Sequence, residues 1–197
     1  PLPRADHGTA RMTVRPILEL RCRVRAAIRG VFDARGFLEV DTPVLSREVL
    51  PEAHIDPITV HLDGDDAPRF LQASPEALMK RLLAREAGCI YQFAQSFRAG
   101  ERGRQHDVEF CLLEWYEPAA TLDGTADLLE ALCAAALDTR GIDRISCREA
   151  FRTHAAVDPF AATAGELEAA ARRLGAVPAA PGSGESEAER WNREFER

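Results

Sequence analysis

Apolar residues between positions 16 and 35 recur at steps of three and four: Ile17, Leu20, Val24, Ile28, Val31 and Phe32. That period puts them on one stripe of an α-helix. Pro16 suits its first turn, and Gly36 follows where a left-handed residue can stop it. Phe37 to Val40 then read as extended, and Pro43 forbids central ladder pairing just beyond. Two further short extended runs fall near Ile58 to Leu62 and Phe70 to Ala73. In "SPEALMKRLLAREAG" the pattern returns to a helix, with Ser74 as cap, Pro75 at the first position, Glu76 in the first turn and Gly88 as the stop. "CIYQFAQSFR" and "EFCLLEWYE" read as two strands of a hairpin. Residues 122 to 138 predict a second long helix, rich in Leu and Ala.

Past residue 140 the pattern weakens. Short helices are predicted from Arg148 to His154 and from Gly165 to Leu174, followed by a loop, "GAVPAAPGSGES", and a helical ending, "EAERWNREFER". Trp191 and Phe195 lie one turn apart on that last helix and call for something to pack on, which suggests a chain that once continued. There are no internal repeats.

Composition narrows the class. The chain has 197 residues, 46 % hydrophobic and 29 % charged, the balance of a soluble globular protein. No apolar run reaches membrane-span length, and the N-terminal stretch has no apolar signal core, so a membrane or exported protein is not expected. Cys22, Cys89, Cys111, Cys133 and Cys147 are odd in number, widely spaced and never C-x-x-C. They argue against a disulfide framework or a zinc site and fit a reducing cytoplasm. The net charge of −7 argues against a general nucleic-acid surface. Lys80 is the single lysine; the other side-chain cations are arginines, in keeping with a GC-rich genome.

The chemistry concentrates in the hairpin, residues 96 to 117. Residues two apart on a strand share a face, so Phe110, Leu112, Glu114 and Tyr116 point one way and Cys111, Leu113 and Trp115 the other. A carboxylate and a phenol on an otherwise apolar face make a poor core, because burying even a neutral unpaired polar group costs about 2–7 kcal/mol. A bound ammonium would offset that cost. Glu76 would add a second carboxylate, although acids are common in any first helical turn. At the other end, Arg98 can fork onto a phosphate. Gly100 and Gly103 let a ligand approach the backbone, and Arg102, Arg104 and His106 add positive charge. Singly, each arginine reads as a solvated side chain. Together, cations at one end and an acid with a phenol at the other fit a ligand with an anionic and a cationic end.

These segments resemble a known family. "GFLEVDTPVL" is similar to motif 1 of class II aminoacyl-tRNA synthetases, with Pro43 at its key proline. "FRAGERGRQHDVEFCLLEWYE" looks like motif 2 in its lysyl version, and "QASPEALMKRLL" resembles the segment between them. The ending "LEWY" resembles the branch of lysyl-tRNA synthetase-like ligases that attach β-lysine to translation elongation factor P. The resemblance is dense over residues 15 to 140.

That resemblance implies an α+β fold, an antiparallel sheet flanked by helices, with a homodimer built through residues 16–45. It implies ATP and Mg2+ as cofactors, activation of lysine or β-lysine as an aminoacyl-adenylate, and transfer to a lysine of elongation factor P. By the same carry-over, Arg98 would hold the α-phosphate, and removing such a donor costs roughly 3–4 kcal/mol. Ala99, Gly100, Glu101, His106 and Asp107 would lie by the nucleotide, with Phe110 stacked on adenine. Ser74, Pro75, Glu76, Glu114 and Tyr116 would line the amino-acid pocket. The short N-terminal extension, residues 1–15, leaves no room for an anticodon-binding barrel and argues against tRNA as acceptor.

Some positions depart from the family's pattern. Gly100 stands where the family often has Glu, with Glu101 next to it, and "HDVEF" replaces the usual "HNPEF". Asp107 brings an anion toward the phosphates, and Val108 replaces a rigid proline. No glycine-rich motif 3 follows residue 140. The core is therefore expected over residues 16–140 and the catalytic domain to be incomplete, with 141–197 a weakly matched helical segment. A lysyl-tRNA synthetase fragment and a non-catalytic paralogue that binds a partner are the alternative readings.

Overall fold

In the computed structural model, the described residues are 14–175 except Pro51, His54, Arg102, Arg104, Gln105, Asp138 and Arg140. The tail containing Trp191 and Phe195 and the loop before it lie outside them, as do Arg102 and Arg104. The chain divides into two compact units, Pro1–Gly141 and Ile142–Arg197.

The first unit opens with helix α1, Arg15–Ala34, which has proline at its start. Gly36 at φ +75° provides the left-handed turn into strand β1, Leu38–Glu39. Strands β2 (Leu45–Ser46), β3 (Ile58–Val60) and β4 (Arg69–Leu71) form a small antiparallel sheet in the order β2-β4-β3. Helix α2, Glu76–Leu83, leads into the long hairpin β5 (Ile90–Phe97) and β6 (Glu109–Tyr116), and helix α3 covers Leu122–Leu137. Helix α2 is shorter than the pattern predicts. Its ladder ends at Leu83, and Glu86 takes up a left-handed conformation at φ +63° before Gly88 does the same at +72°.

The main sheet has the order β1-β5-β6 and is mixed rather than antiparallel throughout. β1 runs parallel to β5, with the Leu38 and Val40 amides donating to the carbonyls of Cys89 and Tyr91. β5 and β6 pair antiparallel over eight residues, Ile90 opposite Tyr116 and Phe97 opposite Glu109. The two sheets are tied where the Phe97 amide donates to the Gln72 carbonyl at 2.9 Å.

The core sits on one face of this hairpin. Phe32 and Ile28 of α1, Leu128 and Leu132 of α3, Phe37 and Tyr91 are buried together, with Phe93, Leu113 and Trp115 packed against them. Phe32 stacks on Tyr91 with ring centroids 4.1 Å apart. Only the C-terminal half of the α1 stripe takes part: Ile17, Leu18 and Leu20 are each more than half exposed.

In the second unit, helix α4 (Cys147–Ala150) runs into a π-helical turn, Phe151–Ala155, that ends at Ala156 in a left-handed conformation. Helix α5 spans Ala164–Arg173. Both α-helices start in capping boxes, Ser146 with Glu149 and Thr163 with Glu166. Asp158 ties the turn together by accepting from Arg152 at 2.6 Å and facing Arg148 at 3.4 Å. Among the described residues no helix is long and apolar enough to cross a membrane, and all five cysteines are free.

Phe32 is fully buried where α1, α3 and β5 meet. Phe32→Ala is expected to cost about 3–5 kcal/mol in urea unfolding. A loss below about 1 kcal/mol, the effect of an ordinary substitution, would mean that this cluster does not hold the unit together.

Candidate functional site

Strand alternation carries the site to the face opposite the core. Tyr91, Phe93, Leu113 and Trp115 pack inward, so their neighbours Gln92, Ala94 and Ser96 on β5 and Phe110, Leu112, Glu114 and Tyr116 on β6 point the other way. At one end of β6 the Glu114 carboxylate is held by two hydroxyls. Tyr116 Oη donates to Oε1 at 2.6 Å, and Ser74 Oγ donates to Oε2 at 3.0 Å. Ser74 Oγ also accepts the Glu76 amide at 3.1 Å across the N-cap residue, which is Pro75 rather than the expected Ser74, and so holds the start of α2 beside β6. Ser74 and Pro75 are buried, while Glu76, Glu114 and Tyr116 are half-buried.

Electrostatics follow from that packing. Burial pushes the Tyr116 phenol well above its ordinary pKa, and the charges of Glu114 and then Glu76 push the same way. Glu76 therefore lies close enough for its charge to be felt at this cluster, and Lys80 rests its ammonium on the same Glu76 carboxylate. On the core face, burial and then the Glu39 carboxylate push the Tyr91 phenol up to about 12. Its Oη donates to Glu39 at 3.1 Å. Glu39 is held below the usual carboxylate range, first by its hydrogen bond from Arg29.

At the other end of the hairpin, the Arg98 amide donates to the Val108 carbonyl at 2.9 Å and closes the loop. Its guanidinium lies 5.1 Å from the centre of the Phe110 ring, donates to the Ala73 carbonyl at 3.4 Å and faces Glu101 at 3.6 Å. Glu101 thus reaches Arg98 although it stands one position beyond the usual acid. The Ala99 amide donates to the Asp56 carbonyl at 3.0 Å, and Gly100 borders open space. His106 and Asp107 are exposed. Asp107 Oδ1 accepts its neighbour Val108's amide at 2.7 Å, which ties it to the loop backbone. Arg98, Phe110, Glu101 and Ala73 form one cluster, and Ser74, Glu76, Glu114 and Tyr116 another. They are joined through the consecutive residues Ala73 and Ser74.

Two site-facing residues escape the sequence pattern. Gln92 lies directly opposite Glu114, is 4 % exposed and accepts the Thr42 hydroxyl at 3.0 Å. Ser96, opposite Phe110, is fully buried, with an unpartnered Oγ. Alternation along β5 marks both, but only the pairing register shows which residue each one faces.

The family model for class II tRNA synthetases (D, K and N) matches residues 7–179. This chain belongs to the class II tRNA synthetase family. The elongation factor P–(R)-β-lysine ligase of Yersinia enterocolitica is 39 % identical over 165 residues, 81 % of this chain and 51 % of that protein. The ligases of the same name from Erwinia tasmaniensis and Edwardsiella ictaluri are each 37 % identical over 160 and 158 residues, 49 % of each protein. The chain spans about half the length of these curated relatives. Within this class II chain, the loop-closing arginine and the acid–phenol pair lie at opposite ends of one hairpin.

The chain has two tyrosines, so phenolate absorbance reads both directly. Neither phenol is expected to ionise near the ordinary value of about 10 while the chain is folded. A phenol raised on folding holds its proton more tightly in the native state. Its stabilising contribution is complete below pH about 10 and is lost as pH rises through about 12 for Tyr91. Glu114→Gln should lower the Tyr116 transition and leave that of Tyr91 in place. Two ordinary phenolate titrations in the folded protein would contradict the described packing.

Proposed function

We propose that this chain provides the ATP- and amino-acid-binding part of a ligase that activates a lysine-type amino acid and passes its acyl group to a lysine of elongation factor P. The observation that carries this reading is Glu114. It is a half-buried carboxylate held by two hydroxyls, with no cation within salt-bridge distance among the described residues. An ammonium group supplies the charge that this arrangement lacks. The named relatives are ligases for (R)-β-lysine on elongation factor P, and they favour that substrate and that acceptor.

The residues present fit a nucleotide in part. Arg98 is a fixed guanidinium at the loop mouth and Phe110 a half-buried aromatic face beside it. Arg98 would hold the α-phosphate and Phe110 the base. ATP supplies an activated phosphorus, which the substrate carboxylate attacks to give the adenylate and pyrophosphate. Arg98 would stabilise the negative charge that grows on the phosphate oxygens in that step. Its guanidinium now covers Phe110, so a nucleobase would take the place of that contact. Ser74 and Tyr116 hold the two Glu114 oxygens in fixed directions, which orients the amine they receive. Magnesium is another matter. Among the described residues no group of three or more His, Cys, Asp or Glu could hold a metal. An ion carried by nucleotide phosphates needs only one or two protein carboxylates.

The same reading includes a homodimer. The exposed apolar residues at the start of α1, Ile17, Leu18 and Leu20, lie within residues 16–45 and fit a second copy of that helix.

Amino-acid-dependent ATP–pyrophosphate exchange tests the proposal, with (R)-β-lysine and L-lysine against a panel of other amino acids. Exchange is expected with a lysine-type substrate. Arg98→Ala should lower it by about 10²–10³, the effect of removing one oxyanion donor. Glu114→Gln should raise KM for the amino acid more than for ATP. Folded protein that binds lysine but shows no exchange would leave a binding module and sink the activity. In sedimentation, Leu20→Asp should shift the chain from dimer to monomer; an unchanged species would refute the α1 interface.

A further inference from the structure

A buried amide stands across the strand pair from Glu114. Gln92 lies on the site face of β5, directly opposite that carboxylate, and is 4 % exposed. The Thr42 hydroxyl donates to its Oε1 at 3.0 Å, which pins one end of the amide. The other end has no partner. Among the described residues Nε2 makes no hydrogen bond, and the side-chain atom sealed without a partner there is Ser96 Oγ, so Nε2 keeps contact with open space. A buried amide with one end unmet is destabilising, and a ligand that meets it gains by that amount. Glu114 has the matching need: two hydroxyls hold its oxygens, with no cation within salt-bridge distance among the described residues. An ammonium brings three N–H donors and no acceptor, so it calls for more acceptors than one carboxylate oxygen. The next pair along the same face, Ala94 and Leu112, is apolar and supplies none. Directly opposed residues on antiparallel strands have Cβ atoms about 4.5–5.5 Å apart. An ammonium held by Glu114 at about 2.7–2.9 Å is therefore within one side chain's reach of the Gln92 amide.

We propose that Gln92 is a specificity-determining residue of the amino-acid site, whose amide oxygen accepts a second hydrogen bond from the substrate amine that Glu114 binds. The proposal deepens the function proposed above and rests on its seating of the amine at Glu114. Thr42 makes the arrangement workable, because a hydroxyl both donates and accepts. After a half-turn of the amide, Nε2 donates to Thr42 Oγ1 and Oε1 faces the amine. Thr42 thus holds the amide in place and leaves its sense to the ligand. The charge count matters as well. A carboxylate at position 92 would set two like charges face to face, which is destabilising on directly opposed strand positions. The amide adds an acceptor without a second charge, so one carboxylate and one neutral oxygen meet one ammonium.

Calorimetric titration of the whole chain with L-lysine, (R)-β-lysine and ATP, each in turn, tests this. The unaltered chain is expected to bind a lysine-type amino acid. Gln92→Met keeps the length of the side chain and removes the acceptor. It should weaken amino-acid binding about tenfold or more, the worth of a hydrogen bond to a charged group, and leave ATP binding unchanged. Thr42→Val should weaken amino-acid binding in the same direction, whereas Thr42→Ser keeps the hydroxyl and should bind as the unaltered chain does. An unchanged amino-acid affinity in Gln92→Met would overturn the proposal. Equal weakening toward ATP would overturn it too, by showing that Gln92 serves only the packing of the sheet. If Gln92→Met does not fold, the two Thr42 variants decide, and equal affinities for the amino acid would overturn the proposal. An unaltered chain that binds no lysine-type amino acid would sink the function proposed above and this inference with it; binding that ignores Gln92 and Thr42 sinks this inference alone.

Discussion

The pairing of β5 with β6 is the constraint on which the rest of the molecule depends. Because side chains alternate, one register sends Tyr91, Phe93, Leu113 and Trp115 into the core and Gln92, Ser96, Phe110, Glu114 and Tyr116 to the opposite face. A slip of one residue on β6 would turn Trp115 to the site and Glu114 into the packed ring cluster around Phe32. Burying an unpaired carboxylate among aromatics is costly enough to exclude that register. The core therefore protects the site's geometry without touching it. The stack of Phe32 on Tyr91 pins β5 from behind, and Glu114 is presented in front, one strand away.

The ends of this hairpin are anchored differently. At the Ile90–Tyr116 end, β1 runs parallel beside β5, and α2 begins with its Ser74 hydroxyl bound to Glu114. At the other end the support is backbone. Phe97 donates to Gln72, Ala99 to Asp56 and Arg98 to Val108, so the guanidinium leaves a loop whose base is closed by three main-chain hydrogen bonds. A side chain that must meet growing charge gains from such fixing, since less reorganisation is left for the moment of reaction. The segment just after β4 contributes Ala73, whose carbonyl receives Arg98, immediately before Ser74. One dipeptide thus sets the distance between the cation and the carboxylate.

Much of this was legible in the sequence. Steps of three and four marked α1, a run rich in Leu and Ala marked α3, and alternation marked the hairpin and assigned Glu114 and Tyr116 to a common face apart from Trp115. What stayed hidden depends on partners far away in the chain. Nothing local says that β1 joins β5 in parallel, because a two-residue strand carries no direction signal. Gln92 and Ser96 were passed over because their meaning comes from standing opposite Glu114 and Phe110. Gly88 was read as the end of α2, yet the ladder stops at Leu83: Glu86 takes the left-handed turn first, a conformation that glycine content does not reveal. The spacing groups the α1 residues on one stripe, and only the packing shows that Ile17 and Leu20 at its start stay exposed.

Charge compensation then separates the ionisable groups at the site. Arg98 faces Glu101, and Glu76 holds Lys80. Glu114 differs from both, because its partners are hydroxyls, which direct a carboxylate without neutralising it. Two hydrogen bonds use about half of its lone-pair directions and leave the remainder for a donor that carries positive charge. Burial is the first cause of the raised Tyr116 pKa, and donation to the uncompensated Glu114 anion pushes it the same way. Of Glu76, Glu101 and Glu114, only Glu114 has no cation within salt-bridge distance among the described residues. That asymmetry, rather than the number of acids on the face, favours a ligand whose amine enters beside Tyr116 and whose anionic end lies toward Arg98.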